Sequence, residues 1–192
     1  MGKDKYENEE LIRYGFPIDI WFHVDNLSSA HVYLRLAEGY TIDTIPSETL
    51  NECLQLVKEN SIEGCKKDKV SIVYTPWENL LKKSSMEVGQ VGFKSEKAVI
   101  TVHNISKVKD VLKRIDKTME VKTVDLEAEK EAFMKELSNK RKKLFEEIVR
   151  KFIILTIFLL FYYFIRKKKK LMKQKKEKRN IKKKLMPLLI KL

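Results

Sequence analysis

Only two cysteines and three histidines occur in the 192 residues. Cys53 falls on an apolar helical stripe and Cys65 follows a glycine, with no partner at C-x2-C spacing. Such sparse cysteine excludes a disulfide framework and suits a reducing compartment. His23, His31 and His103 fall on separate predicted segments, so no metal site and no cofactor is implied. There is no G-x-S-x-G turn to present a nucleophile, and no catalytic residue is assigned. An apolar leader is also missing, because the chain opens with the charged run MGKDKYENEE. The N-terminal body is therefore expected in the cytosol.

Charge of one sign is scarce except at one end. The formal charge is +13, and residues 166–192 alone hold 14 Lys and Arg against the single acid Glu177. Residues 1–122 carry 18 basic and 19 acidic residues. Any attraction of the body for nucleic acid must therefore come from local patches, since bulk affinity scales with the phosphates neutralised. The candidate patches are Lys66-Lys67-Lys69, Lys82-Lys83 and Lys107-Lys109-Lys113-Arg114.

Hydrophobic periodicity supplies the elements. Residues 7–14 predict a helix, with Gly15 as its left-handed stop and Pro17 beyond. Asp19 to Val24 alternates, placing Ile20, Phe22 and Val24 on one side and Trp21 and His23 on the other, as in a strand. After the turn NLSS, His31 to Leu36 predicts a second strand. Pro46 suits the first position of a helix whose Leu50, Cys53, Leu54 and Val57 form one apolar stripe. VSIVYT at 70–75 is a β-branched strand closed by Pro76, and EVGQVGF with AVITV predicts a hairpin around KSEK. Gly89 and Gly92 within strand-like sequence suggest a bulge or a close backbone approach. Val108, Val111, Leu112 and Ile115 return to helical spacing.

The expected fold is α+β, a mixed β-sheet with packed helices over residues 1–117. A linker over 118–124, a charged helix over 125–151, an apolar segment over 152–165 and a polybasic tail over 166–192 should follow. The long C-terminal helix can become a membrane segment.

Two histidines and two aspartates fall within DIWFHVDNLSSAHVYL, residues 19–34. Residue types alone allow a catalytic cluster, but the simpler reading keeps Trp21 in the core and His23 and His31 partly exposed at a strand end. The order of motifs resembles the RNA-binding domain of the NFACT proteins. It begins with Gly2-Lys3 and Asn8-Glu9-x-Leu11, and continues with Asp19-x-Trp21-x-His23 and Ser28-Ser29-Ala30-His31-Val32. VYTPW at 73–77 and VGQVGF at 88–93 complete a resemblance covering about residues 1–120. It implies a non-enzymatic module that binds RNA (rRNA or tRNA), linked to ribosome-associated proteins and translation quality control. The candidate nucleic-acid contacts are Lys3, Lys5, His23, Ser29, His31, Lys66, Lys67, Lys82 and Lys83. Members carry a strand ahead of the Gly-Lys pair; here Met1 stands there, and the sheet is expected to expose an unpaired edge.

FIILTIFLLFYYFI, residues 152–165, has no charge. As a helix it reaches ~21 Å against ~30 Å of hydrocarbon, and Ile148 and Val149 with snorkelling Arg150 and Lys151 bring it near a span. It reads as a single-pass anchor. The positive-inside rule would keep the basic tail cytosolic and export the body, where DNA outside the cell becomes the alternative ligand; the sequons at Asn26 and Asn104 are compatible with that orientation. A third alternative is an adaptor acting through the charged helix. Residues 151–192 also lack Ala, Gly, Val, Ser, Asp, Cys, His and Trp, a composition shared with translated AT-rich non-coding sequence.

Overall fold

A computed structural model describes the backbone of residues 1–189 and the side chains of residues 1–181. Residues 190–192, the end of the expected basic tail, lie outside the described residues. Residues Met1–Phe133 and the residues from Met134 onward form two compact units.

In the first unit, α1 (Lys5–Tyr14) starts where Asp4 Oδ1 accepts from the Tyr6 and Glu7 amides at 2.9 Å, which satisfies orphan donors of the first turn. Gly15 is not the left-handed stop expected from the sequence, because its φ is −58°. Glycine is required there for space: a Cβ would stand 2.2 Å from Trp77 Nε1, whose N–H donates to the Ile12 carbonyl at 2.9 Å.

β1 (Asp19–Val24) lies between β2 (Val32–Arg35) and β3 (Val70–Pro76), and β6 (Ile100–Ile105) closes the order β2-β1-β3-β6. Every pairing is antiparallel, so the α+β class holds with an antiparallel sheet. Its Ile20, Phe22, Val24, Ile72 and Tyr74 pack with Cys53, Leu54 and Val57 of α2 (Ser47–Glu59). Phe22 is fully buried and stacks on Tyr74 at 5.1 Å; a ring so placed contributes ~1.5–3 kcal/mol. Pro46 occupies the N-cap of α2, one position earlier than expected. On the far side of α2, α3 (Lys109–Asp116) buries Leu112, and Arg114 pairs with Glu48 and Glu52 while Lys107 pairs with Glu59. Two cations of that basic cluster are thus already matched.

The expected hairpin around KSEK does not form. β5 (Gly92–Phe93) pairs instead with β4 (Leu80–Leu81), and β6 pairs with β3. Asn79 decides this: its amide donates to the Ser95 carbonyl and accepts from the Ser95 N–H, both at 2.9 Å, and also donates to Thr75 Oγ1. Those bonds tie the polar segment to the end of β3, where Glu96–Ala98 form a 3-10 turn that leads into β6 instead of a hairpin back to β5. β6 carries a bulge, because register advances two residues on β3 but three on β6, and Asn104 takes φ +61° there.

α4 (Leu126–Leu189) begins with Asp125 Oδ1 accepting from the Ala128 amide at 3.0 Å. Its first turns belong to the folded unit: Phe133 stacks on Phe16 at 4.8 Å, and Lys130 sits 4.4 Å over the Trp77 ring. In the second unit the helix carries i,i+4 pairs such as Glu136–Lys140 and Glu147–Lys151, and every residue from Phe152 to Ile165 is exposed.

Candidate nucleic-acid interface

The sheet face opposite α2 carries Trp21 and His23, as alternation dictates, and the turn after β1 brings His31 back to them. Trp21 is 2% exposed, which places it in the core as expected. Its indole N–H donates to His31 Nδ1 at 3.0 Å, its ring stacks on His23 at 5.4 Å, and Phe93 meets it edge-on. A bare Nδ1 puts the His31 proton on Nε2, which has no protein partner among the described residues.

His31 is 4% exposed, not partly exposed as expected; the indole bond and the His23 ring draw it inward. Burial lowers its pKa to about 3, reinforced by the nearby His23 and Lys82 charges. His23 is partly exposed, and burial lowers it too, against bonds to the Val24 and Ser29 backbones. Two neutral imidazoles are the result. So weak a base contributes little to proton abstraction at neutral pH.

Around these rings the loop 25–31 is held from several sides. Asn26 takes φ +58°, Ser29 Oγ accepts from the Val24 amide at 3.1 Å, and Ser61 Oγ donates to the Ser28 carbonyl at 2.6 Å. Ser29 spends its own proton on the Ala30 carbonyl, so it is not activated by a histidine. Behind Ser61, the buried Lys58 ammonium donates to the Gly64 and Lys67 carbonyls at 2.9 and 2.6 Å, and burial lowers its pKa.

The opposite wall comes from α1 and the 87–90 turn. Gly89 has φ +81° and lies so close to the Lys5 backbone that a Cβ would stand 3.3 Å from its carbonyl oxygen. Glu9 Oε2 accepts from the Gly89 amide and from Lys82 Nζ, each at 2.8 Å, while Lys82 also donates to the Glu87 and Gln90 carbonyls. Burial alone would raise Glu9, but these bonds hold it below the ordinary carboxylate value.

Between the walls lies a polar cleft of about 480 Å³, lined by Lys5, Asn8, His23, Ser28, Ser29, His31 and residues 87–90. It gathers four of the nine candidates, Lys5, His23, Ser29 and His31. Lys82 is beneath its rim with the ammonium already engaged. Lys3 is paired with Glu7 at 2.8 Å, and Lys66, Lys67 and Lys83 are exposed on other loops. Sequence reasoning gave no role to Asn8, Glu9, Lys58 or Ser61; Asn8 and Glu9 stood in the motif series only as signature positions.

The motif residues Asn8, His23, Ser29 and His31 of this α+β domain line one polar cleft, and sequence similarity gives the family. Residues 1–95 match the model of the NFACT protein RNA binding domain, and the chain belongs to that family. It is 56% identical over 151 residues to coiled-coil domain-containing protein 25 of Mus musculus, covering 79% of this chain and 73% of that one. With the protein of the same name from Danio rerio the identity is 57% over 139 residues, covering 72% and 67%. Protein JLP2 of Saccharomyces cerevisiae is 43% identical over 121 residues, covering 62% and 58%.

Proposed function

We propose that this protein is a non-enzymatic RNA-binding factor that acts in the cytosol on rRNA or tRNA, in translation quality control, through the cleft between α1 and the loop after β1. The observation that carries this reading is the convergence of His23, Ser29 and His31, drawn from two motifs, with Lys5 on one polar concavity. The neutral imidazoles favour recognition by hydrogen bonding over proton transfer. Both sequon asparagines, Asn26 and Asn104, occupy left-handed backbone positions that favour asparagine, so neither supports export of the domain. The test is RNA binding by residues 1–133 at low salt. Binding of structured RNA that weakens in His23→Gln/His31→Gln, with the variant still folded, is expected; no binding of any RNA removes the reading.

The exposed apolar run favours one addition, attachment to a membrane. An 18-residue window within α4 has a mean hydropathy of 2.1, with none of it buried. We read Phe152–Ile165 as the anchor and the basic residues after it as a headgroup contact.

A further inference from the structure

We propose that the cleft takes a single unpaired nucleotide, read through its base edge by the Asn8 amide and His31 Nε2–H, with Lys5 at its phosphate. This inference rests on the RNA-binding reading and specifies what part of the RNA enters.

Asn8 is 8% exposed, and its side chain makes no hydrogen bond among the described residues; its Oδ1 is sealed without a partner. An unmade bond in such a place destabilises a fold, so a leucine would serve α1 better. The surroundings nevertheless accommodate the amide: a Cβ on Gly2 would stand 2.7 Å from Oδ1, so only glycine fits there. The Gly-Lys and Asn-acid motifs are thus one device. His31 supplies the second unspent group, because the Trp21 indole occupies Nδ1 and fixes the proton on Nε2.

With Oδ1 sealed against Gly2, the Asn8 Nδ2–H donates beside the imidazole N–H, and the two donors match acceptor groups on a base edge. In a duplex the Watson–Crick edge is consumed, and base-specific RNA recognition falls on unpaired nucleotides. The cleft volume lies within the range of small-molecule sites, enough for one nucleotide and too small for a helix. Lys5 and Glu87 are the charged residues of the lining, so local charge nearly cancels and hydrogen bonding must set selectivity.

The experiment compares the full chain, held in detergent, on an RNA hairpin with a one-nucleotide bulge and on the same hairpin fully paired. The expected preference for the bulge is about tenfold, from two hydrogen bonds that the paired hairpin cannot make. Asn8→Leu and Asn8→Ala should cut that preference to about threefold, the share of the remaining His31 bond, and Asn8→Leu should melt no lower than wild type. Equal affinity of wild type for both hairpins, or an undiminished preference in the folded variants, overturns the nucleotide site while leaving RNA binding intact. Failure of wild type to bind either hairpin overturns the RNA-binding reading and this inference with it.

Discussion

Residues 1–133 and residues 134–192 share a chain but obey different physics. The first region has 19 Lys and Arg against 23 Asp and Glu, and many of its charges are matched at fixed partners such as Glu9–Lys82, Asp19–Arg35 and Glu59–Lys107. The second has 21 basic residues against four acidic ones, and its side chains from Phe152 to Ile165 have nothing to bury against within their own unit. The net charge of +13 is therefore a property of the tail and not of the fold. One region holds its polar groups at fixed partners; the other presents charge and apolar surface.

The largest expected difference is partition into membranes. Each arginine at the centre of a spanning helix costs ~2.5–3.5 kcal/mol, so Ile157→Arg with Leu160→Arg should release a membrane-bound chain about ten-thousandfold. Fractionation after a high-salt wash reads this directly. Wild type appearing in the salt wash would mean that only the basic residues hold it, and would end the anchor reading.

Salt should separate the regions next. If the tail neutralises six to ten phosphates, nucleic-acid affinity of the full chain falls ~10³–10⁵ between 50 and 200 mM salt. Residues 1–133, with Lys5 at one phosphate, should lose only about threefold on single-stranded RNA over that range. A steep slope for the isolated domain would show that Lys66, Lys67 or Lys83 engage phosphate as a patch.

The same contrast explains what could be read in advance. β1, α2 and β3 were legible because alternation and the Leu50–Val57 stripe are local signals of a face that must be buried. Pairing was not local. Nothing in KSEK reveals that Asn79 captures Ser95, or that Trp21 meets Phe93 at its edge. Gly15 was legible as a glycine requirement but not as its cause, a tryptophan 62 positions away. At the site, motif residues could be named, whereas the tautomer of His31 and the unspent amide of Asn8 exist only once α1 and the loop after β1 face each other. Lys58 shows the limit plainly: a lysine on a helix reads as solvated until two carbonyls are found around its ammonium.

The smallest expected effect is also confined to one region, because residues 134–192 contain no histidine. Burial lowers His31 from an ordinary 6.5 to about 3, and lowers His23 in the same direction. Below pH 6.5 an unfolded chain takes up protons that the folded domain refuses. The stabilisation is therefore complete above that pH and declines as pH falls toward the folded value, at ~1.4 kcal/mol per unit for each group held neutral. Glu9, lowered by Lys82 and the Gly89 amide, acts in the same direction only below about 4.5, and the Met1 amine, lowered by burial, from about 8.0 downward. The histidine share between pH 6.5 and 5 is therefore the part that a histidine substitution removes. Across that interval the melting temperature of residues 1–133 should fall by a few degrees, while the helicity of residues 134–192 stays level. His31→Gln retains an acceptor for the Trp21 N–H and removes the proton site, so its melting temperature should fall less steeply. An equal slope in wild type and variant would mean that the imidazole titrates freely, and that the indole bond does not hold it neutral.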